Sequence, residues 1–256
     1  MTTLRRAIDC VVGPHSIASL YKDYRRIETE VTLRKDYDRC IQQDIPRTFP
    51  RSSFLKRNGE AFQRLLSAYV VYSPVGYVQG INFLAAASLY FFSAKTMYLS
   101  FWLMVALFDN VKHIFLLQID ETFLQQNKIF DASVEKVTST FLSYYRAKHP
   151  SVQVSETVLL GLKNLVQWKV MGTLLLSCSG NTLVNSKRIL FYFLPFLHDV
   201  DMFRKKLSAV ALSFLFCCLM EKELSDEVIL VLQSANLNEN GLMEVLKTAS
   251  ETEKLL

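Results

Sequence analysis

Glycine and proline are scarce, with 8 and 6 in 256 residues. A chain of many short strands needs frequent turns, so this scarcity argues against an all-β architecture and favours long helices. The five cysteines (Cys10, Cys40, Cys178, Cys217 and Cys218) are odd in number, and none is spaced as CxxC. That argues against a disulfide framework and a zinc ribbon and points to a reducing compartment. The N-terminus, MTTLRRAIDC, lacks the apolar run of a secretory signal. No GxSxG, Walker A or HExxH sequence occurs. His15, His113, His149 and His198 are scattered, with no acidic or cysteine partner at ligand spacing, so no metal site is expected.

What the chain does contain is apolar mass. Half of its residues are hydrophobic and 21% are charged, the composition of a globular protein with a sizeable core. Three dense apolar stretches stand out: INFLAAASLYFF (81–92), MYLSFWLMVALF (97–108) and LSAVALSFLFCCLM (207–220). Each is shorter than the ~20 residues that span a bilayer. Fusing the first two would place Lys95 near mid-membrane, which is costly. Buried helices explain them better than a small polytopic membrane protein does. Cys217 and Cys218 then read as core, and Tyr90, Phe91, Phe92, Phe101 and Trp102 as helix packing.

The net charge of +5 is concentrated: residues 1–64 hold 13 Lys and Arg against 8 Asp and Glu, and the remainder is balanced. A basic bias of this kind is either a solvated face or a surface for phosphate or an acidic partner. No nucleic-acid motif accompanies it and the pI is only about 8.9, so nucleic acid is not expected as a partner.

Helical periodicity is plain in several places. Phe62, Leu65, Leu66 and Tyr69 fall at i, i+3, i+4 and i+7 within 60–72. Residues 33–44 read as a charged helix, 79–92 and 97–110 as buried helices, and 120–146 as one or two amphipathic helices ending before Pro150. Another helix starts near Ser155, with Val158, Leu159, Leu162, Leu165 and Val166 on its apolar side. Ser225, followed by Asp226 and Glu227, is a further helix start, and 241–255 is a last helix. No run of alternating strands, internal repeat or low-complexity linker appears. The expectation is one all-α domain over 1–256.

Two segments interrupt the helices. In IQQDIPRTFPRSSF (41–54), Pro46 and Pro50 bracket Arg47, Thr48 and Phe49. A helix carrying Ile41 and Asp44 should end near Ile45, leaving Arg47 on a short, stiff connection. In YSPVGYVQGINF (72–83), Pro74, Gly76 and Gly80 mark a loop that leads into the apolar helix. Gln79 falls at or near that helix's N-terminus, where unpaired N–H groups favour a negatively charged ligand.

These segments resemble the two signature motifs of TBC-family Rab GTPase-activating proteins. The first, IxxDxxR continuing as TFP, reads Ile41, Asp44, Arg47, Thr48, Phe49 and Pro50. The second, YxQ within VGYxQGMN, reads Val75, Gly76, Tyr77, Gln79, Gly80 and Asn82, with Ile81 where Met is usual. The resemblance implies a single all-helical TBC-type domain. It implies that Arg47 is an arginine finger and Gln79 a glutamine finger, that Asp44 and Tyr77 orient them, that Ile41 packs beneath, and that Gly80 supports the turn. It further implies a GTP-bound Rab-family GTPase as partner, with GTP and Mg²⁺ bound by that partner and no cofactor belonging to this chain. The expected setting is cytoplasmic, with recruitment to endomembranes through the Rab and a role in vesicle traffic.

The rest of the chain departs from the family pattern. No Trp occurs among the 40 residues before Ile41, which suggests a short N-terminal subdomain. Trp168 precedes Lys-Val-Met-Gly-Thr in place of an aromatic-rich run, and Arg188 precedes Ile-Leu-Phe in place of a Trp-Asp pair. These departures motivate an alternative, a pseudo-GAP that keeps the fold and serves as a Rab-binding scaffold.

Overall fold

The computed structural model describes residues 3–13, 15–31, 38–74, 76–112, 121–178, 183–234 and 237–256. All regular structure among the described residues is helical. The chain divides into two compact units, one of Met1–Asn110 with Asn181–Asp199 and the other of Val111–Gly180 with Val200–Leu256.

The first unit contains α1 (Thr3–Val12), α2 (Ile17–Glu30), α3 (Asp38–Asp44), α4 (Ser53–Arg57), α5 (Gly59–Tyr72), α6 (Ile81–Phe92), α7 (Met97–Val111, whose last residue falls to the other unit) and α10 (Val184–Phe193). Of the expected charged helix 33–44, the part from Asp38 onward is helical, and the part before it lies outside the described residues. Helix α5 is the organising element. Its Phe62, Leu65, Leu66 and Tyr69 are buried on the face that the periodicity indicates, and α2, α3 and α6 pack against it. Helix α6 is buried almost all round, as a helix with no polar face must be. Together α6 and the Ala94–Val111 segment are long and apolar enough for a span, but they meet at a 102° bend. Leu84, Ala85, Leu89, Phe101, Leu103 and Leu107 are all fully buried, so the pair forms core. Among the described residues no single helix is long and apolar enough to cross a membrane.

Side chains tie the remaining helices to this frame. Ser16 caps α2, its hydroxyl accepting from the Ser19 amide at 3.0 Å. Trp102 donates its indole N–H to the Leu20 carbonyl at 2.9 Å. Glu28 accepts from Arg25 at 2.5 Å and from Arg64 across to α5. His198 donates to the Cys10 carbonyl at 2.7 Å, a structural role. His113 lies outside the described residues.

The second unit is built on α8 (Glu121–Lys148), α9 (Glu156–Asn164), α11 (Val200–Leu219), α12 (Asp226–Ser234) and α13 (Glu239–Thr252). The amphipathic stretch before Pro150 is thus a single helix. Helix α11 packs on α8 and α13, and α9 on α12. At Gly161 an added Cβ would lie 2.9 Å from Ile229 Cγ2, so glycine permits the close approach of α9 to α12. Ser155 caps α9 and Ser225 caps α12, through bonds from the Val158 and Val228 amides at 3.2 and 3.3 Å. Tyr145 is fully buried; its hydroxyl donates to Lys222 O and accepts from Leu224 N, both at 2.9 Å. His149 stacks on that ring and donates to Met220 O at 2.9 Å.

Two features of this unit depart from the sequence expectation. Helix α9 runs on as a π-helical turn over Leu165–Met171, followed by Leu174 and Leu175 at φ 51° and 63°. Non-glycine residues there cost of order 1 kcal/mol or more each. Both leucines are fully buried, which offsets that cost by ~1.5–3 kcal/mol apiece. The second is a correction. Cys217 is exposed and Cys218 half-buried, although they sit in an apolar run. Leu215 and Leu219 face inward at helical spacing, so the residue between them turns outward. Cys178, by contrast, is wholly buried, and burial pushes its thiol up to about 12.

Candidate functional site

Helix α3 carries Ile41 on its inner face, buried to 1% exposure against α5, while Asp44 at its C-terminus is half-buried. Helix α3 ends at Asp44, next to the Ile45 that the prolines indicate, and the chain does not become extended before Pro46. It tightens into a 3₁₀ turn, Ile45–Arg47, with Pro46 at the start of the turn, where its missing N–H costs nothing. The Thr48 amide closes that turn on Asp44 O at 3.0 Å and Ile45 O at 3.2 Å. Arg47 is the last residue of the turn and is exposed. Among the described residues no carboxylate pairs with its guanidinium.

Phe49 anchors the far side of Arg47. Its φ is +45°, unusual for an aromatic residue, yet its side chain is buried at 3% exposure. The ring meets Phe83 edge-on at 5.4 Å. The Phe49 carbonyl accepts from Ser52 N at 2.8 Å, and Ser52 caps α4 by accepting from Leu55 N at 3.3 Å. The connection bearing Arg47 is therefore fixed at both ends. The exposed Arg51, Lys56 and Arg57 follow it and keep the neighbourhood positive.

The second segment enters α6. Val75 lies outside the described residues. Gly76 adopts φ +73° and Gly80 φ +106°, conformations that favour glycine. Gly80 is the residue that caps α6, so Gln79 stands one residue outside the helix, exposed. Tyr77 is half-buried and turns its hydroxyl onto Asp44 Oδ2, donating at 2.7 Å. Burial, and then the hydrogen bond to the Asp44 carboxylate, pushes the Tyr77 phenol above the usual tyrosine range. Tyr77 thus remains a donor at neutral pH.

A second bridge lies beside the first. Asn82 Nδ2 donates to Thr48 Oγ1 at 2.7 Å, and Thr48 Oγ1 donates to Asp44 O at 2.7 Å. Asn82 Oδ1 accepts from Gly80 N at 3.0 Å. Thr48 and Asn82 are both buried. The sequence places both within the motifs but gives no reason to assign them a role. The available signal was two small polar side chains in otherwise apolar surroundings. The structure brings Asp44, Tyr77, Thr48 and Asn82 together across two segments more than 30 residues apart, with Arg47 next to Thr48 and Gln79 between Tyr77 and Asn82, both open to solvent.

The arrangement engages the Asp44 carboxylate with Tyr77, and no group that could hold a metal ion occurs among the described residues. It presents a permanent cation and a neutral amide from a stiff base, which suits acting on a reaction held by another molecule.

Comparison with known proteins accords with this geometry. The chain is similar to the Rab GTPase-activating protein eat-17 of Caenorhabditis elegans, 43% identical over 74 residues, or 27% of this chain and 8% of that protein. It therefore spans a small fraction of that relative's length. It also resembles the crystal structure of the Chlamydomonas flagellar RabGAP TBC domain, with a TM-score of 0.62 at 17% identity over 97% of this chain and 75% of that one, a likeness of fold. The family model for the Rab-GTPase-TBC domain matches residues 16–154, more than half of the chain and inclusive of every residue of both bridges, and the chain belongs to that family.

Proposed function

We propose that this chain accelerates GTP hydrolysis on a Rab-family small GTPase in its GTP-bound state by supplying Arg47 and Gln79 in trans. The observation that carries the reading is the Tyr77–Asp44 bond, which braces the two segments from which Arg47 and Gln79 project exposed. The Arg47 guanidinium neutralises charge that develops on the phosphate oxygens in the transition state, a contribution worth ~10³–10⁵ in rate when supplied in trans. The Gln79 amide both accepts from and donates to the attacking water and aims it in line with the γ-phosphate. GTP and Mg²⁺ belong to the partner. Asp44 and Tyr77 position the fingers, Ile41 packs α3 onto α5, and Gly80 provides the left-handed turn after Gln79. The basic surface of Arg51, Lys56 and Arg57 favours approach to a nucleotide-bearing face. The setting that follows is the cytoplasmic face of endomembranes, where a Rab brings the protein to the sites of vesicle traffic.

The test is single-turnover phosphate release from a panel of GTP-loaded Rab GTPases at micromolar protein. Acceleration on at least one member is expected. Binding to a GTP-loaded Rab with no acceleration on any would instead establish a scaffold that keeps the fold without the activity.

A further inference from the structure

We infer that the Thr48–Asn82 hydrogen bond is a positioning device, locking the segment that bears Arg47 to the segment that bears Gln79 in a fixed register. The inference rests on the reading of Arg47 and Gln79 as fingers. Its structural part, the coupling of the two segments, stands on geometry alone.

Among the described residues the two segments are joined by side-chain hydrogen bonds at two points. One is Tyr77 Oη to the Asp44 carboxylate at 2.7 Å, and the other is Asn82 Nδ2 to Thr48 Oγ1 at 2.7 Å. A single bond between two chain segments is a pivot, because the segments can rotate about it. Two bonds at separate residues remove that rotation.

The second bond also reaches the peptide next to each finger. Asn82 Oδ1 holds the Gly80 N–H at 3.0 Å, and that N–H belongs to the planar peptide that begins at the Gln79 carbonyl. Fixing it fixes the backbone on the C-terminal side of Gln79. The Thr48 N–H belongs to the peptide that begins at the Arg47 carbonyl and is held by Asp44 O at 3.0 Å. The Thr48 hydroxyl bonds the same Asp44 carbonyl while accepting from Asn82. One carboxamide therefore grips the residue after each finger.

Thr48 is 1% exposed and Asn82 4%, so water is not at hand to replace a lost partner. Losing one partner leaves the other unsatisfied away from water, and a linked network transmits the loss. The bond pattern also fixes the carboxamide's orientation: with Oδ1 on an N–H and Nδ2 on a hydroxyl, a flipped amide would face donor to donor at Gly80.

Thr48→Val removes the hydroxyl and nearly keeps the shape, and Thr48→Ser keeps the hydroxyl. Amide hydrogen exchange of the full chain reads the coupling without any partner. In Thr48→Val, exchange should rise about tenfold over both 45–49 and 76–83 and stay unchanged in α11 and α13, and Thr48→Ser should lie near wild type. Faster exchange over 45–49 alone, with the Gly80 amide at its wild-type rate, overturns the coupling. Phosphate release with the responding Rab then reads the consequence. Thr48→Val should lower kcat about tenfold with KM within about twofold, Thr48→Ser should restore it, and Thr48→Val should add little in a Gln79→Ala background. An equal loss in the wild-type and Gln79→Ala backgrounds marks a bond that only stabilises the fold and overturns the positioning role. Failure of the finger reading looks different: Arg47→Ala would then match wild type, or no Rab would respond, while the exchange experiment still decides the coupling.

Discussion

The two compact units hold irregular backbone in different ways. In the first, the 3₁₀ turn at Ile45–Arg47, Phe49 at φ +45° and the loop to Gly80 are linked by side-chain hydrogen bonds through Asp44, Tyr77, Thr48 and Asn82. In the second, the unusual stretch is the π turn at Leu165–Met171 with two left-handed leucines, held by their burial and by the Thr173 and Ser177 hydroxyls, which donate inward to Lys169 O at 2.6 and 3.0 Å. Lys169 adds a polar tie there, its ammonium capping α12 through Leu232 O and Gln233 O at 2.8 and 2.6 Å, and burial lowers its pKa. Hydrogen bonds are directional, so a bonded frame fixes the base from which an exposed side chain projects. Burial is non-directional and secures a segment without aiming anything outward. The first frame braces the base of the exposed Arg47 and Gln79, and the second, with two buried leucines, secures the core of its own unit.

The comparison can be broken first at its strongest point. Arg47→Lys keeps the charge but loses the planar fork, and should cost about 10²–10³-fold in single-turnover phosphate release with the melting temperature unchanged. Near-normal turnover would remove Arg47 from the chemistry. The second unit should show the reverse pattern. Leu162 is fully buried in α9, so Leu162→Ala should lower unfolding stability by about 2–5 kcal/mol in a denaturant titration. The rate measured well below its melting point should stay within about twofold. Tyr77→Phe lies between these two. It deletes the 2.7 Å bond to Asp44 and should reduce the rate about tenfold for about 1 kcal/mol of stability, since the pivot at Thr48–Asn82 remains.

The smallest effect concerns pH. Burial raises Cys178 to about 12 and Cys218 to about 11, both in the second unit. A raised thiol pKa stabilises the fold below the ordinary cysteine range, near pH 9, and that contribution is lost as pH climbs through the folded value. Unfolding free energy should therefore fall from pH 9 to 10. In Cys178→Ala that slope should be shallower by about 1 kcal/mol per pH unit. An unchanged slope would show that Cys178 does not titrate differently on unfolding.

Much of this architecture was legible in the sequence, for identifiable reasons. Helices such as α5 and α9 announced themselves by apolar residues at 3.6 spacing, and Ser155 and Ser225 by their capping chemistry. The motif segments stood out because Pro46, Pro50, Gly76 and Gly80 break that period. In α2 the buried Leu20, Tyr24 and Ile27 fall at i, i+4 and i+7, a helical stripe that is present in the sequence among charged neighbours. The π turn was illegible because Leu165–Met171 continues an acceptable helical pattern, and only packing decides the extra residue per turn. Cys217 misled because an apolar run does not tell which residue faces out at a helix end. At the site, the resemblance named Arg47, Gln79, Asp44 and Tyr77, but spacing along the chain carries no information about which atoms meet across segments. The roles of Thr48, Phe49 and Asn82 came only from the folded geometry.

The most direct test of the central claim sets wild type, Arg47→Ala and Gln79→Ala side by side in single-turnover hydrolysis on a GTP-loaded Rab that the wild type accelerates. The account predicts that each variant binds that Rab with near wild-type affinity and loses at least about 10²-fold of the acceleration. Acceleration retained by either variant would contradict a mechanism in which this chain supplies both groups.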